Sequence, residues 1–159
     1  MTPVRGFEIV SGFRDLASGI HLPERKTQFS AGYDIFSVED VCLEPAKVTL
    51  IATGLKAYMP GDEFLGIYIR SGMAVKHQLC LVNSVGIIDA DYYNNPDNEG
   101  HILVAVLNLG PEKFILPKGT RFAQGIFQKY FCCDYENDAN GDAPHAKRMG
   151  GIGSTGTIG

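Results

Sequence analysis

Two carboxylates and a tyrosine follow an apolar run in the stretch "NSVGIIDADYYNNPDNEGHI", residues 83–102. Asp89 and Asp91 come directly after "GII", and Tyr92 is the next residue. A plain hairpin needs only about two to five connecting residues, and it does not need an apolar lead into paired acids. A carboxylate at the edge of a core can act as a general base when a neighbour or a metal fixes its ionisation. The alternative is an acidic turn that faces water.

A second stretch, "YIRSGMAVKH" at residues 68–77, carries groups that bind anions. A predicted strand ends at Arg70, and Ser71 and Gly72 open a helical turn. Backbone amides at such a turn, with a hydroxyl and a guanidinium beside them, favour an anion cradle. The alternative is a capping serine beside a solvated arginine.

Two further stretches each place polar side chains near the start of a predicted strand. "GTRFAQGIFQKY", residues 119–130, places Arg121 and Gln124 where they either bind phosphate oxygens or face water. "AGYDIFSVED", residues 31–40, begins with a Gly-Tyr-Asp turn. Its Asp34 is either a turn cap or a partner for metal-bound water.

The C-terminal stretch "RMGGIGSTGTIG", residues 148–159, contains five glycines and one charged residue, Arg148. Ordering glycine costs more backbone entropy than ordering any other residue, so a frayed terminus is one interpretation. The other is an arm that orders around an anion, because glycines let backbone amides converge on it. Ser154, Thr155 and Arg148 supply further donors.

The elements that must position these groups belong to one domain, since the chain has 159 residues. It is 45% hydrophobic and 20% charged, with a formal net charge of -4 and no dense basic stripe, which argues against a general nucleic-acid binder. The sequence shows no secretory signal. It also has no apolar run of about 20 residues, which is the length that a membrane-spanning helix needs. The cysteines show no C-x-x-C spacing, so we expect reduced thiols and a cytoplasmic protein.

Short apolar runs separated by turn residues recur along the chain and predict about eight strands. They are "GFEIV", "YDIFSV", "KVTLIATGLKAYM", "EFLGIYI", "LCLVNSVGII", "GHILVAVLNL", "EKFILP" and "RFAQGIFQKYF". Helical periodicity is weak except in a short piece near residues 71–77. The pattern predicts an all-β sandwich or jelly-roll-like barrel over residues 1–135. Residues 136–159 are predicted to be a flexible linker and C-terminal arm of the same domain.

Taken in order, five of these stretches resemble the five motifs of the trimeric dUTPases. The matching segments are "AGYDIFSVED", "RSGMAVKH", "NSVGIIDADYY", "RFAQGIF" and "RMGGIGSTG". The loop "YYNNPDNEGH" is similar to that of dUTPases from Gram-positive bacteria and their phages. The resemblance implies a jelly-roll-like β-barrel, a homotrimer with active sites at subunit interfaces, and hydrolysis of dUTP to dUMP and pyrophosphate. It also implies Mg²⁺ on the triphosphate, removal of dUTP from the DNA precursor pool, and supply of dUMP for dTMP synthesis.

The third motif implies the groups that recognise the nucleoside and activate water. By this match Asp89 is the general base for attack on the α-phosphorus. Tyr92 packs on the deoxyribose and leaves no room for a 2′-hydroxyl, which is specificity by steric exclusion. Asn83 and the backbone from Gly86 to Ile88 read the uracil.

The other motifs imply the groups around the phosphates. Four residues match those at the α- and β-phosphates: Arg70, Ser71, Gly72 and Gln124. Asp34 matches a partner of the hydrated metal that acts through water, so no side chain need bind the ion directly. In the arm, the matching residues around the γ-phosphate and the base are Arg148, Gly151, Ile152, Gly153, Ser154, Thr155 and Gly156. Ile152 replaces the usual aromatic residue and can cover the base without aromatic stacking geometry.

Two other functions are alternatives. A dCTP deaminase shares the fold, but it needs a glutamate at the 4-position of the pyrimidine, whereas "GIIDADYY" supplies aspartate. A regulatory protein that captures a repressor is the other alternative, with the acidic loop from Asn94 to Glu99 as the candidate surface. That role and catalysis can coexist.

Overall fold

The computed structural model describes residues 4–133, which cover nearly all of the predicted barrel, while the predicted arm lies outside them. In this part of the chain there are eleven strands, one α-helix and two 3₁₀ helices. The helices are α1 (Ser71–His77) and the 3₁₀ segments Ser11–Gly19 and Ala90–Tyr92. The strands are β1 (Gly6–Ile9), β2 (Tyr33–Phe36), β3 (Val41–Leu43), β4 (Val48–Ala52), β5 (Leu55–Tyr58), β6 (Glu63–Ile69), β7 (Leu79–Leu81), β8 (Gly86–Asp89), β9 (Leu103–Asn108), β10 (Phe114–Leu116) and β11 (Arg121–Lys129).

The predicted all-β fold with one short helix is confirmed. Two predicted runs each divide into two strands. β4 and β5 are separated at Gly54, whose φ of +69° lies in the left-handed region that glycine adopts at little cost. β7 and β8 are separated by a turn in which Ser84 has a φ of +62°. β3, the three-residue segment Val41–Leu43, was not predicted.

The strands form four antiparallel sheets around one apolar core. The strand orders are β1-β5, β3-β10, β2-β11-β6-β8 and β4-β9-β7. Phe122 and Ile35 are among the largest fully buried side chains, and they come from the β2 and β11 region of the four-stranded sheet. The core therefore fixes the backbone of the strands that carry the first and fourth motifs.

The register of the four-stranded sheet defines two ends that matter for function. Asp34 pairs with Gln124, and Gln124 pairs with Tyr68, so these residues form one row near the end of β6. Phe64, at the other end of β6, pairs with Asp89. We call these the Arg70 end and the Asp89 end. Arg70 follows Phe64 by six positions, so the two ends lie roughly 20 Å apart along the strand.

Within residues 4–133 no helix is long and apolar enough to span a membrane. The four cysteines, Cys42, Cys80, Cys132 and Cys133, are free thiols, as the sequence predicted.

Candidate functional site

An ion-pair cluster centred on Asp34 organises the Arg70 end. Asp34 is buried in β2, and its Oδ1 lies 3.1 Å from Arg70 Nε. Its Oδ2 accepts a hydrogen bond from Arg121 Nη1 at 2.9 Å. The Arg70 amide also donates to the Phe122 carbonyl at 3.0 Å, which ties the end of β6 to β11. Asp34 therefore lies within a strand and not in a turn, and it orients two guanidinium groups.

The cluster carries one more positive than negative charge, since a single carboxylate faces two arginines. The Arg70 side chain is 33% exposed and that of Arg121 37% exposed, so both guanidinium groups reach solvent. Guanidinium groups bind phosphate oxygens in a forked geometry, and a carboxylate behind them fixes their orientation. The sequence left open whether Arg121 faces phosphate or water, and the structure places it in this cluster.

Helix α1 starts directly at the cluster. Arg70 has an extended backbone and makes no side-chain capping bond. Ser71 and Gly72 are both exposed in the first turn. A Cβ built on Gly72 meets no atom within 4 Å, so nothing in the described chain requires a glycine there. A close approach by a ligand or by a second subunit is one condition that would favour glycine at such a position.

Gln124 lies in the same row as Asp34, at the middle of the sheet end. Its side-chain oxygen occupies the space in which a Cβ on Gly32 would lie, so the absent side chain of Gly32 makes room for the amide. The structure therefore brings together the predicted phosphate residues Arg70, Ser71 and Gln124, with Asp34 behind them.

The predicted uracil-reading hairpin is formed by the β7–β8 turn and by β8. Asn83 and Ser84 are exposed in the turn, where the Ser84 amide donates to the Leu81 carbonyl at 3.1 Å. A Cβ on Gly86 would lie 3.1 Å from Ile67 Cβ, so glycine allows β8 to approach β6 closely. β8 is the outer strand of its sheet. Such a strand presents backbone N–H and C=O groups along its open side, which suits recognition of a base edge.

Asp89 and Tyr92 lie at the opposite end of β6. Asp89 ends β8 and is half-buried, and the 3₁₀ helix Ala90–Tyr92 follows it. Tyr92 is only 8% exposed. Its hydroxyl donates to the His101 carbonyl at 2.9 Å and accepts a hydrogen bond from Asn98 Nδ2 at 2.8 Å. Tyr92 is therefore a fixed wall rather than a mobile side chain.

The loop from Asn94 to Gly100, which contains the candidate protein-binding surface Asn94 to Glu99, is only partly exposed. Asn94 and Asp97 are exposed, but Asn95 is buried. Asn95 Oδ1 accepts hydrogen bonds from the Asp97 and Asn98 amides at 3.0 and 3.1 Å, and its Nδ2 donates to the Tyr92 carbonyl at 2.9 Å. Much of the loop is thus committed to internal contacts and to Tyr92.

A buried lysine supports the same loop, and sequence reasoning missed it. Lys56 is 6% exposed, and its Nζ lies 2.6 Å from Asn94 Oδ1 and 3.4 Å from Glu99 Oε2. Tyr93 donates to Glu8 Oε2 at 2.8 Å. Burial and the Glu8 carboxylate raise the pKa of the Tyr93 phenol, so it remains a neutral donor. No pattern in the sequence distinguishes Lys56 from a solvated lysine on a strand.

The single chain does not bring all predicted residues together. Asp89 and Tyr92 lie at one end of β6, and Arg70, Ser71, Gly72 and Gln124 lie at the other. The predicted arm residues, Arg148, Gly151, Ile152, Gly153, Ser154 and Thr155, lie outside the described residues.

The described side chains do not form a direct metal cage. Among residues 4–133 there is no group of three or more His, Cys, Asp or Glu side chains that could hold a metal ion. Both carboxylate oxygens of Asp34 face guanidinium groups. This donor set fits an ion held by phosphate oxygens and water, because Mg²⁺ keeps much of its hydration shell.

Comparisons with known proteins show which family this chain resembles. A family model described as dUTPase matches residues 18–156. The deoxyuridine 5′-triphosphate nucleotidohydrolase of Lactococcus lactis subsp. lactis is 45% identical over 153 residues, which cover 96% of this chain and 98% of that protein. The crystal structure of dUTPase from Streptococcus mutans has a TM-score of 0.75 and 40% identity, over 81% of this chain and 98% of that one.

A more distant structure shares the fold. It is a mutant dUTPase from phage phi11 of S. aureus, described for its coordination of a structural Mg(II) ion. Its TM-score is 0.68 at 21% identity, and the match covers 83% of this chain and 94% of that one.

Proposed function

We propose that this chain, a member of the dUTPase family, hydrolyses dUTP at sites shared between the subunits of a homotrimer. The products are dUMP and pyrophosphate. The general base must reach a water molecule at the α-phosphorus, and the phosphate ligands must contact the oxygens next to it. Asp89 and Arg70 are roughly 20 Å apart along β6, so one chain cannot supply both to one nucleotide. The separation of Asp89 from Arg70 supports a site that takes its two ends from neighbouring subunits.

The Arg70 end supplies the phosphate-binding groups. Arg70, held by Asp34, contacts the α- and β-phosphates together with Ser71, Gly72 and Gln124. The orientation of the Arg70 guanidinium is set before substrate arrives, because the Asp34 carboxylate already holds it. Preorganised charge of this kind stabilises the negative charge that develops on the phosphate oxygens during attack.

The neighbouring subunit supplies the base from its Asp89 end and the nucleoside pocket from β8 and the residues on either side of that strand. Asp89 accepts a proton from a water molecule while the oxygen of that water attacks the α-phosphorus. The bond between the α-phosphorus and the bridging oxygen breaks, and pyrophosphate leaves. A positioned base contributes on the order of a hundredfold or more to such a step. Asn83 and the open edge of β8 from Gly86 to Ile88 read uracil, where a mismatched base leaves polar groups unpaired.

Tyr92 excludes ribonucleotides. Its ring packs against the deoxyribose where a 2′-hydroxyl would otherwise fit. The limited exposure of Tyr92 and the two hydrogen bonds of its hydroxyl support this role, since the ring cannot turn aside for a larger sugar.

Magnesium accompanies the triphosphate in this proposal. When bound to the phosphates it neutralises part of their charge and orders them for in-line attack. Asp34 would hold the hydrated ion through water, and none of the side chains in residues 4–133 is placed as a direct ligand. The structural Mg(II) ion of the phage phi11 protein is in keeping with magnesium in this fold.

The C-terminal arm completes the site by closing over the nucleotide. Arg148, Ser154 and Thr155 contact the γ-phosphate with the backbone amides around Gly151 and Gly153, and Ile152 covers the base. The substrate's binding energy offsets the entropy of ordering the arm, and closure restricts water near the reacting phosphate. In the cell the reaction removes dUTP from the DNA precursor pool and supplies dUMP for dTMP synthesis.

A subunit-mixing experiment tests the shared site. Asp89→Asn and Arg70→Ala, each inactive alone, are co-expressed with different affinity tags, and trimers that carry both tags are purified. If each site combines Asp89 of one subunit with Arg70 of the next, every mixed trimer has one intact site of three and recovers about one third of wild-type turnover. If the mixed trimers turn over dUTP no faster than either single variant, the proposal is wrong.

A matched control uses two variants from the same end, Arg70→Ala and Gln124→Ala. Because one subunit supplies both residues to a given site, mixed trimers of this pair leave every site with a defect and should not recover.

The dCTP deaminase alternative is not favoured, because the matching family model and the relatives described above are dUTPases.

A further inference from the structure

We propose that Asn98 is a positioning residue for Tyr92 and thereby sets how strongly the enzyme discriminates between deoxyribose and ribose. The inference rests on the role proposed above for Tyr92. The loop from Asn94 to Gly100 holds Tyr92 at both of its ends. Asn95 Nδ2 donates to its carbonyl at 2.9 Å, and Asn98 Nδ2 donates to its hydroxyl at 2.8 Å.

The two halves of the Asn98 amide have different tasks. Its Oδ1 accepts hydrogen bonds from the Gly100 amide at 3.0 Å and from Asn95 Nδ2 at 2.9 Å, both within the loop. Its Nδ2 donates outward to Tyr92. The orientation of the amide is fixed chemically, because the Gly100 N–H is a donor and needs an oxygen facing it. One atom therefore maintains the loop, and the other positions the tyrosine.

The loop has little freedom to move away from Tyr92. Gly100 has a φ of +83°, and a Cβ there would lie 2.6 Å from the Tyr92 carbonyl oxygen. On the outer side, the buried Lys56 donates to Asn94 Oδ1 at 2.6 Å. The Asn98 donor is thus carried by a rigid support, which is a condition for positioning another side chain within a fraction of an ångström.

The Tyr92 hydroxyl completes its hydrogen bonding through Asn98. Its single proton goes to the His101 carbonyl, and its oxygen accepts a hydrogen bond from Asn98 Nδ2. Two tethers at the far end of the ring limit rotation about the bonds of the side chain. Steric exclusion of one extra oxygen atom requires such a limit, because a small rotation would open enough space for it.

The variant Asn98→Asp isolates the outward donor. The carboxylate has the same shape and keeps an acceptor for the Gly100 amide, but it has no N–H for Tyr92. The single hydroxyl proton of Tyr92 then cannot serve both the introduced carboxylate and the His101 carbonyl, so one tether is lost. We expect the ratio of kcat/KM for dUTP to that for UTP to fall about three- to tenfold, in line with one neutral hydrogen bond. The matched control is Asp97→Asn, a single substitution at an exposed position, which should leave the ratio unchanged.

A double-mutant cycle with Tyr92→Phe shows whether Asn98 acts through the hydroxyl. Tyr92→Phe should lower the ratio by a similar factor, and adding Asn98→Asp to it should lower the ratio no further. Additive losses, or equal losses of dUTP and UTP hydrolysis in Asn98→Asp, would mean that Asn98 merely maintains the loop, and they overturn the inference.

Tyr92→Ala separates this inference from the proposal beneath it. If Tyr92→Ala leaves the dUTP to UTP ratio at its wild-type value, the steric role of Tyr92 itself is wrong. If Tyr92→Ala collapses the ratio while Asn98→Asp retains it, the role of Tyr92 stands and that of Asn98 is wrong.

Discussion

The two ends of β6 are built from different interactions. At the Arg70 end, one buried carboxylate orients two guanidinium groups that reach solvent. At the Asp89 end, neutral amides and backbone carbonyls hold a buried tyrosine. Charge suits the first end because its proposed ligand is a polyanion, whereas rigidity suits the second because it must exclude one small group. In the proposed site, recognition of charge and recognition of shape therefore lie at separate ends of one sheet.

The largest effect is expected at the Asp89 end. Asp89→Asn keeps the size of the side chain but cannot accept a proton from water, so kcat should fall by about a hundredfold or more. Nucleotide binding and the trimer should be retained. Pyrophosphate release at saturating dUTP measures the loss, and Asp91→Asn is the control, with most of the activity expected to remain. Turnover near the wild-type rate in Asp89→Asn would remove that residue from its proposed role.

Deletion of residues 148–159 tests whether closure contributes to both ends. Without the arm the γ-phosphate loses its proposed ligands and water enters the site, so we expect kcat/KM to fall about tenfold or more. The melting temperature should change little. The point variant Arg148→Ala should reproduce part of the loss. A large fall in melting temperature would instead give the segment a structural role.

A third prediction concerns the charge at the Arg70 end. Asp34→Asn leaves two guanidinium groups without their carboxylate, so the KM for dUTP should rise and the free energy of unfolding should fall by about 1–3 kcal/mol. Asp62→Asn is the matched control, because Asp62 forms an exposed pair with Lys129 at 2.9 Å. Exposed pairs contribute at most about 1 kcal/mol. Equal changes in denaturant midpoint for the two variants would contradict a special role for Asp34.

The sequence predicted the Arg70 end better than the Asp89 end. Arg70, Gln124 and Asp34 lie next to recognisable strand boundaries, and the register of three neighbouring strands brings them together. The sequence also predicted a strand where β6 lies and a short helical piece where α1 lies. The support of Tyr92 escaped prediction, because Asn95 and Asn98 look like ordinary turn residues. Their importance comes from their hydrogen bonds to Tyr92, which follow from the folded shape of the loop and not from a periodic pattern.

The smallest effect is a pH dependence of stability at the Asp89 end. His101 is half-buried beside the Phe13 ring, and its Nε2 accepts a hydrogen bond from the Gly54 amide at 3.0 Å. Burial lowers the pKa of the His101 imidazole, so the folded state favours the neutral ring. The resulting stability is fully present above the unfolded pKa of about 6.5.

That stability should therefore decline as the pH falls from about 6.5 through the lower pKa of the folded state, because the unfolded chain binds the proton first. Urea unfolding at pH 7.5, 6.5 and 5.5 should show a smaller decline in His101→Gln than in the wild type. His21→Gln, a change at an exposed histidine, should keep the wild-type slope. If the His101 and His21 variants decline alike, the neutral His101 ring is not what couples this end of the sheet to pH.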